Sequence, residues 1–108
     1  EARTAWGAEA KYRMAECHYI FGDKVKAEQE IMSFTGMQTT HQYWLAKSLI
    51  LLADINVDNN DIFQAKQYLL ALQNNYRQSD DIKQIITSKL EKIYELEASQ
   101  NTETTENE

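Results

Sequence analysis

Apolar positions recur at steps of three and four along most of the chain, the spacing of an α-helix that buries one face. Ala5, Ala8, Tyr12, Ala15 and Tyr19 follow that spacing and predict a first helix over 2–21. Gly22-Asp23 ends it, because Gly accepts the left-handed conformation at a helix C-terminus and Asp can cap the next helix. A second helix over 24–34 places Ala27, Ile31 and Phe34 on one face, and 35–38 reads as a loop. Thr39-x-x-Gln42 reads as a capping box. It opens a third helix that carries Tyr43, Trp44, Leu45, Leu49, Leu52 and Ala53 and ends near Asp58. Asn59-Asn60-Asp61 is a second tight turn, since Asn also tolerates positive φ. A fourth helix over 62–76 turns Ala65, Tyr68, Leu69 and Leu72 inward. Gln78-Ser79-Asp80-Asp81 supplies the acidic start of a fifth helix over 81–98. Its stripe is Ile82, Ile85, Ile86, Leu90, Ile93 and Leu96. Residues 99–108 hold a polar, acidic run without a large apolar side chain, which predicts a disordered tail, with the end of the fifth helix able to persist into it.

Two of these segments match when one is slid 38 residues along the other: Ala10–Phe34 falls on Ser48–Leu72. Met14-Ala15 meets Leu52-Ala53, Gly22-Asp23 meets Asn60-Asp61, Ala27 meets Ala65, and Ile31 meets Leu69. A period in the range of about 20–50 residues is the mark of a stacked repeat. Ala15 with Ala27, and Ala53 with Ala65, fit the points where two antiparallel helices approach closely.

These residues resemble the tetratricopeptide repeat family over about 2–76. The resemblance rests on Met14-Ala15, Tyr19, Gly22-Asp23 and Ala27, then on Leu52-Ala53, Val57, Asn60-Asp61, Phe63 and Ala65. There are departures. Lys24 and Ile62 stand where the family has an aromatic after Gly-Asp, and the Pro that ends its second helix is missing. The 38-residue period predicts an extended loop around 36–40. The stretch 41–76 is also similar to repeats of large bacterial tetratricopeptide proteins, notably those of the Bacteroidetes. The resemblance implies an all-α fold of antiparallel helical-hairpin repeats in a right-handed superhelix. It would divide the chain into a first pair (1–38), a second pair (39–77), a capping helix (78–98) and a tail (99–108). It also implies a concave groove at Glu9, Tyr12, Glu16 and Tyr19 of the first copy and Lys47, Ile50, Asp54 and Val57 of the second. Tyr and aliphatic residues among carboxylates would hold a protein or peptide segment with apolar and basic residues.

Composition narrows the alternatives. Charged residues are 26% and net charge is −6, with Glu103, Glu106 and Glu108 supplying half of it. No basic stripe marks a nucleic-acid surface, and the acidic balance disfavours anionic membranes. No apolar run reaches the length of about 18 residues needed to cross a bilayer. The start Glu-Ala-Arg reads as that of an excised piece of a longer protein, from cytoplasm or cell envelope, with upstream repeats or a second copy against Trp6.

Candidate chemistry is sparse. One cysteine, Cys17, excludes an internal disulfide and a CxxC zinc site. Cys17-His18 has the composition of a nucleophile and its base, but adjacent helical residues point about 100° apart. Burial as a small hydrophobe is the plainer reading of Cys17. His18 and His41 lack the spacing and the third ligand of a zinc site, and His41 reads as part of the first turn of the third helix. Tyr43-Trp44-Leu45 reads as a plug between the two helix pairs. No phosphate loop or catalytic set is present. The expectation is a non-enzymatic binding or scaffolding module without cofactor or metal. The alternative is a self-associating structural unit with no groove ligand.

Overall fold

The computed structural model describes residues 5–36 and 41–106. Five helices follow in order: α1 (Ala5–Ile20), α2 (Lys24–Thr35), α3 (Gln42–Asp58), α4 (Ile62–Asn75) and α5 (Ile82–Glu106). No strand occurs among the described residues, and the fold is all-α. The expected helical start at 2–4, the Thr39 cap and most of the extended loop at 36–40 lie outside the described residues.

The two tight turns are the same structure repeated 38 residues apart. Gly22 has φ 87° and Asn60 has φ 62°. In the first turn the Asp23 N–H donates to His18 O and the Gly22 N–H to Tyr19 O; in the second, Asp61 donates to Asn56 O and Asn60 to Val57 O. These paired bonds satisfy the last carbonyls of α1 and α3, which would otherwise lack partners. Asp23 Oδ1 then accepts from the Lys26 N–H at 3.0 Å, and Asp61 Oδ1 from the Gln64 N–H at 3.2 Å. Each turn therefore closes one helix and caps the next with the same residue types.

Packing follows the same period. α1 pairs with α2 and α3 with α4; α3 lies on α1 and α2, and α5 lies on α3 and α4. One face of α3, with Leu51, Leu52 and Ile55, packs with Tyr12, Ala15, Ala27 and Ile31 of the first pair. The opposite face, with Ala46, Ile50 and Ala53, packs with Ala65, Leu69 and the α5 stripe Ile82, Ile86, Leu90 and Ile93. Ala15 and Ala27 are buried together in one cluster and Ala53 and Ala65 in the other. Ser48 is a buried polar residue of α3, and its hydroxyl donates to Trp44 O at 2.9 Å.

Several expectations need correction. α3 starts at Gln42 with His41 as its N-cap, making no side-chain cap bond. His41 therefore precedes the first turn of α3 and is not part of it. Trp44 and Leu45 pack on the first pair as a plug between the pairs would, whereas Tyr43, edge-on to Trp44 at 5.0 Å, packs toward the α5 side. Its hydroxyl lies 3.4 Å from Asp81 Oδ2. Tyr76 ends α4 in extended backbone and is buried. Its hydroxyl donates to Asp80 Oδ2 at 2.6 Å, while Asp80 Oδ1 accepts from the Ile82 N–H at 3.0 Å. The α4–α5 connection is thus built around Tyr76. α5 continues to Glu106, through most of the stretch expected to be disordered. Extending an existing helix fixes one residue per hydrogen bond gained, and no Pro or Gly interrupts 82–106.

Candidate functional site: the groove between α1, α3 and α5

The groove has a closed half and an open half. In the closed half, Tyr12 is only 6% exposed, and its ring lies 5.7 Å from that of Trp44. The Tyr12 hydroxyl donates to Glu16 Oε2 at 3.1 Å. Arg13 bonds Glu9 at 3.3 Å and Glu16 at 3.0 Å, and its guanidinium carbon is 5.4 Å from the ring centres of both Tyr12 and Trp44. Lys47 Nζ also stands 5.4 Å from the Tyr12 ring centre. Ile50 is 5% exposed and belongs to the core shared with α5. Glu9, Tyr12, Glu16 and Lys47 thus interact with one another or with Arg13, and Tyr12 and Ile50 are packing residues, not open groove positions. Burial, then the Glu16 carboxylate, pushes the Tyr12 hydroxyl up to about 12.

In the open half, Tyr19, Asp54, Val57 and Asp58 meet Lys89, Lys92, Ile93 and Leu96 of α5 around a cleft of about 410 Å³. The Tyr19 hydroxyl donates to Asp58 Oδ2 at 2.5 Å, joining the ends of α1 and α3. That bond, followed by burial, raises Tyr19 to about 12. Lys89 Nζ donates to Asp54 at 3.0 Å. Asp54 is nevertheless held above the usual carboxylate range, because burial outweighs the attraction of Lys89. The walls combine an apolar floor of Val57, Ile93 and Leu96 with charges of both signs.

The α5 residues Lys89, Lys92 and Leu96 were not among the expected groove residues. The signal was present in the period: sliding 38 residues from Glu16 reaches Asp54, and a second slide reaches Lys92. α5 is thus in phase with α1 and α3.

Cys17 is exposed, not buried as expected, since no described element packs over its side of α1. Among the described residues no three of His, Cys, Asp or Glu are grouped to hold a metal ion. No described helix is long and apolar enough to cross a membrane. A second notable surface is the outer side of α1 and its following turn, where Trp6 is 86% exposed, Met14 46% and Phe21 86%.

Comparison with family models, curated proteins and solved structures returned no match.

Proposed function

We propose that this chain is a non-enzymatic protein-interaction module, resembling tetratricopeptide repeats, that holds a partner segment in the open half of its groove. The observation that carries this reading is the cleft in which Val57 and Leu96 form an apolar floor beside Asp58 and Lys92. A segment with one apolar anchor flanked by charge would bury the anchor there and pair with the rim. Such rims contribute more to orientation than to affinity. Stacked helices hold the groove in shape before binding, which reduces the ordering cost.

Panning a random peptide library against the immobilised chain tests the proposal. Peptides with an apolar anchor should be enriched, and they should bind Leu96→Asp or Lys92→Glu at least about tenfold more weakly. Peptides that bind the variants as well as the parent, or no enrichment at all, would overturn it. The second reading is a structural unit without a groove ligand. It is favoured by the Lys89–Asp54 bond, through which α5 already occupies part of the groove. An empty panning result would leave that reading standing.

A further inference from the structure

The outer side of α1 has two counterparts inside the fold. Positions 6, 10, 14 and 17 of α1 become 44, 48, 52 and 55 on α3, and 82, 86, 90 and 93 on α5. On α3 these are Trp44, Ser48, Leu52 and Ile55; Trp44, half-buried, and the buried Leu52 and Ile55 pack toward the preceding helix pair, and Ser48 is buried beside them. On α5 they are Ile82, Ile86, Leu90 and Ile93, buried against the pair α3–α4. On α1 they are Trp6, Ala10, Met14 and Cys17, all exposed.

The facing surface is equally regular. α1 meets α2 and α3 with Ala8, Tyr12 and Ala15, and α3 meets α4 and α5 with Ala46, Ile50 and Ala53. The same positions on α5 are Gln84, Ser88 and Glu91, all exposed. A bulky back face therefore meets a small–large–small front face twice in this molecule. α5 has a back face of the same kind but a polar front. At α1 the back face is present and uncovered.

We infer that the outer face of α1 docks a helical hairpin of this same repeat type, placed immediately N-terminal to α1, through a front face like Ala46-Ile50-Ala53. A second copy of the chain fits less well. The polar front of α5 cannot cover Trp6 and Met14, and two α1 back faces would bring bulky side chains together in a pairing found nowhere in the fold. The inference stands apart from the groove reading, since none of the outer-face residues Trp6, Ala10, Met14 and Cys17 of α1 lines the cleft.

The test uses Cys17, the single cysteine, as the reporter. Its alkylation by iodoacetamide is timed by mass spectrometry in the chain itself and in a fusion. The fusion joins an extra copy of residues 41–80 directly to Ala5, which preserves the 38-residue phase. A third protein carries the same fusion with the added front face made polar, as A46Q, I50S and A53E in the copy. Docking predicts that the apolar fusion slows alkylation by about tenfold or more. The polar copy and a Met14→Lys change in the apolar fusion should both restore the parent rate. Equal rates in the chain and the apolar fusion would overturn the inference, whether the added hairpin folds or not. Equal protection by the polar copy would also overturn it. So would a chain that already protects Cys17 at micromolar concentration while sedimenting as a dimer, because the occupant would then be a second copy.

Discussion

The Tyr19 hydroxyl lies 2.5 Å from Asp58 Oδ2, and this bond ties the last turn of α1 to the last turn of α3 across 39 residues. Lys24 Nζ stands 4.0 Å from the same carboxylate, so the start of α2 joins the contact. The bond fixes the mouth of the open cleft, because Tyr19 and Asp58 both line it. Tyr19→Phe should cost about 1 kcal/mol, the usual net worth of one hydrogen bond. Urea unfolding followed by circular dichroism measures the loss, and an unchanged midpoint would mean that the bond contributes nothing.

Alkaline pH should weaken the fold through Tyr12 and Tyr19. Both are raised from 10.0 to about 12, Tyr12 mainly by burial and Tyr19 mainly by Asp58. Between those values the unfolded chain releases protons that the folded chain keeps. Stability from these groups is thus complete below about pH 10 and is lost as pH rises through about 12. Thermal unfolding from pH 8 to pH 11.5 should show a melting temperature that begins to fall near pH 10. In Tyr19→Phe the fall should be shallower.

The two turns make opposite demands on substitution. A Cβ at Gly22 would meet no atom within 4 Å, so the cost of Gly22→Ala is conformational alone. With φ at 87°, that cost should be about 1–2 kcal/mol. Asn60→Gly places the more tolerant residue at φ 62° and should be neutral or stabilising by a few tenths of a kcal/mol. Comparing the two midpoints checks the shared geometry of the turns.

Asp54 gives a counter-intuitive expectation. It pairs with Lys89 at 3.0 Å, yet burial keeps it above the usual carboxylate range. Its ionisation therefore opposes folding, and the stability it contributes when protonated is lost as pH rises through the carboxylate range. Asp54→Asn should leave stability within about 1 kcal/mol of the parent, despite removing the ion pair. A loss above about 3 kcal/mol would show that the pair outweighs burial.

Ile86 is fully buried between α5 and α3–α4, whereas Phe21 is almost fully exposed. Ile86→Ala should cost about 2–5 kcal/mol by cavity formation. Phe21→Ser should stay within about 0.5 kcal/mol. Melting curves for both variants distinguish a docked α5 from a loosely attached one.

Helix positions were legible because Gly22, Asn60 and the two capping aspartates punctuate a strong three-to-four period. His41 was read as part of the first turn of the third helix, but the helix backbone starts only at Gln42, so His41 sits at the N-cap. The disordered tail misled for a related reason: residues 99–106 have little reason to be helical alone, but they extend a helix already paid for by Ile82–Ile93. The groove was legible only in part. Tyr12 and Ile50 carry the pattern of groove residues, but a helix face serves either packing or binding, and only the position of its neighbour decides which. Cys17 was read as buried from its residue type, whereas its exposure depends on whether anything covers the outer side of α1.

The polar front of α5 gives the stack a direction of growth. Duplicating the segment between two successive phases would lengthen the stack from within and leave α5 where it is. A duplication that copied α5 as well would set Gln84, Ser88 and Glu91 against a bulky apolar face, creating a break where two rigid segments could swing. The same three residues that keep one end of this molecule wetted would then act as a hinge.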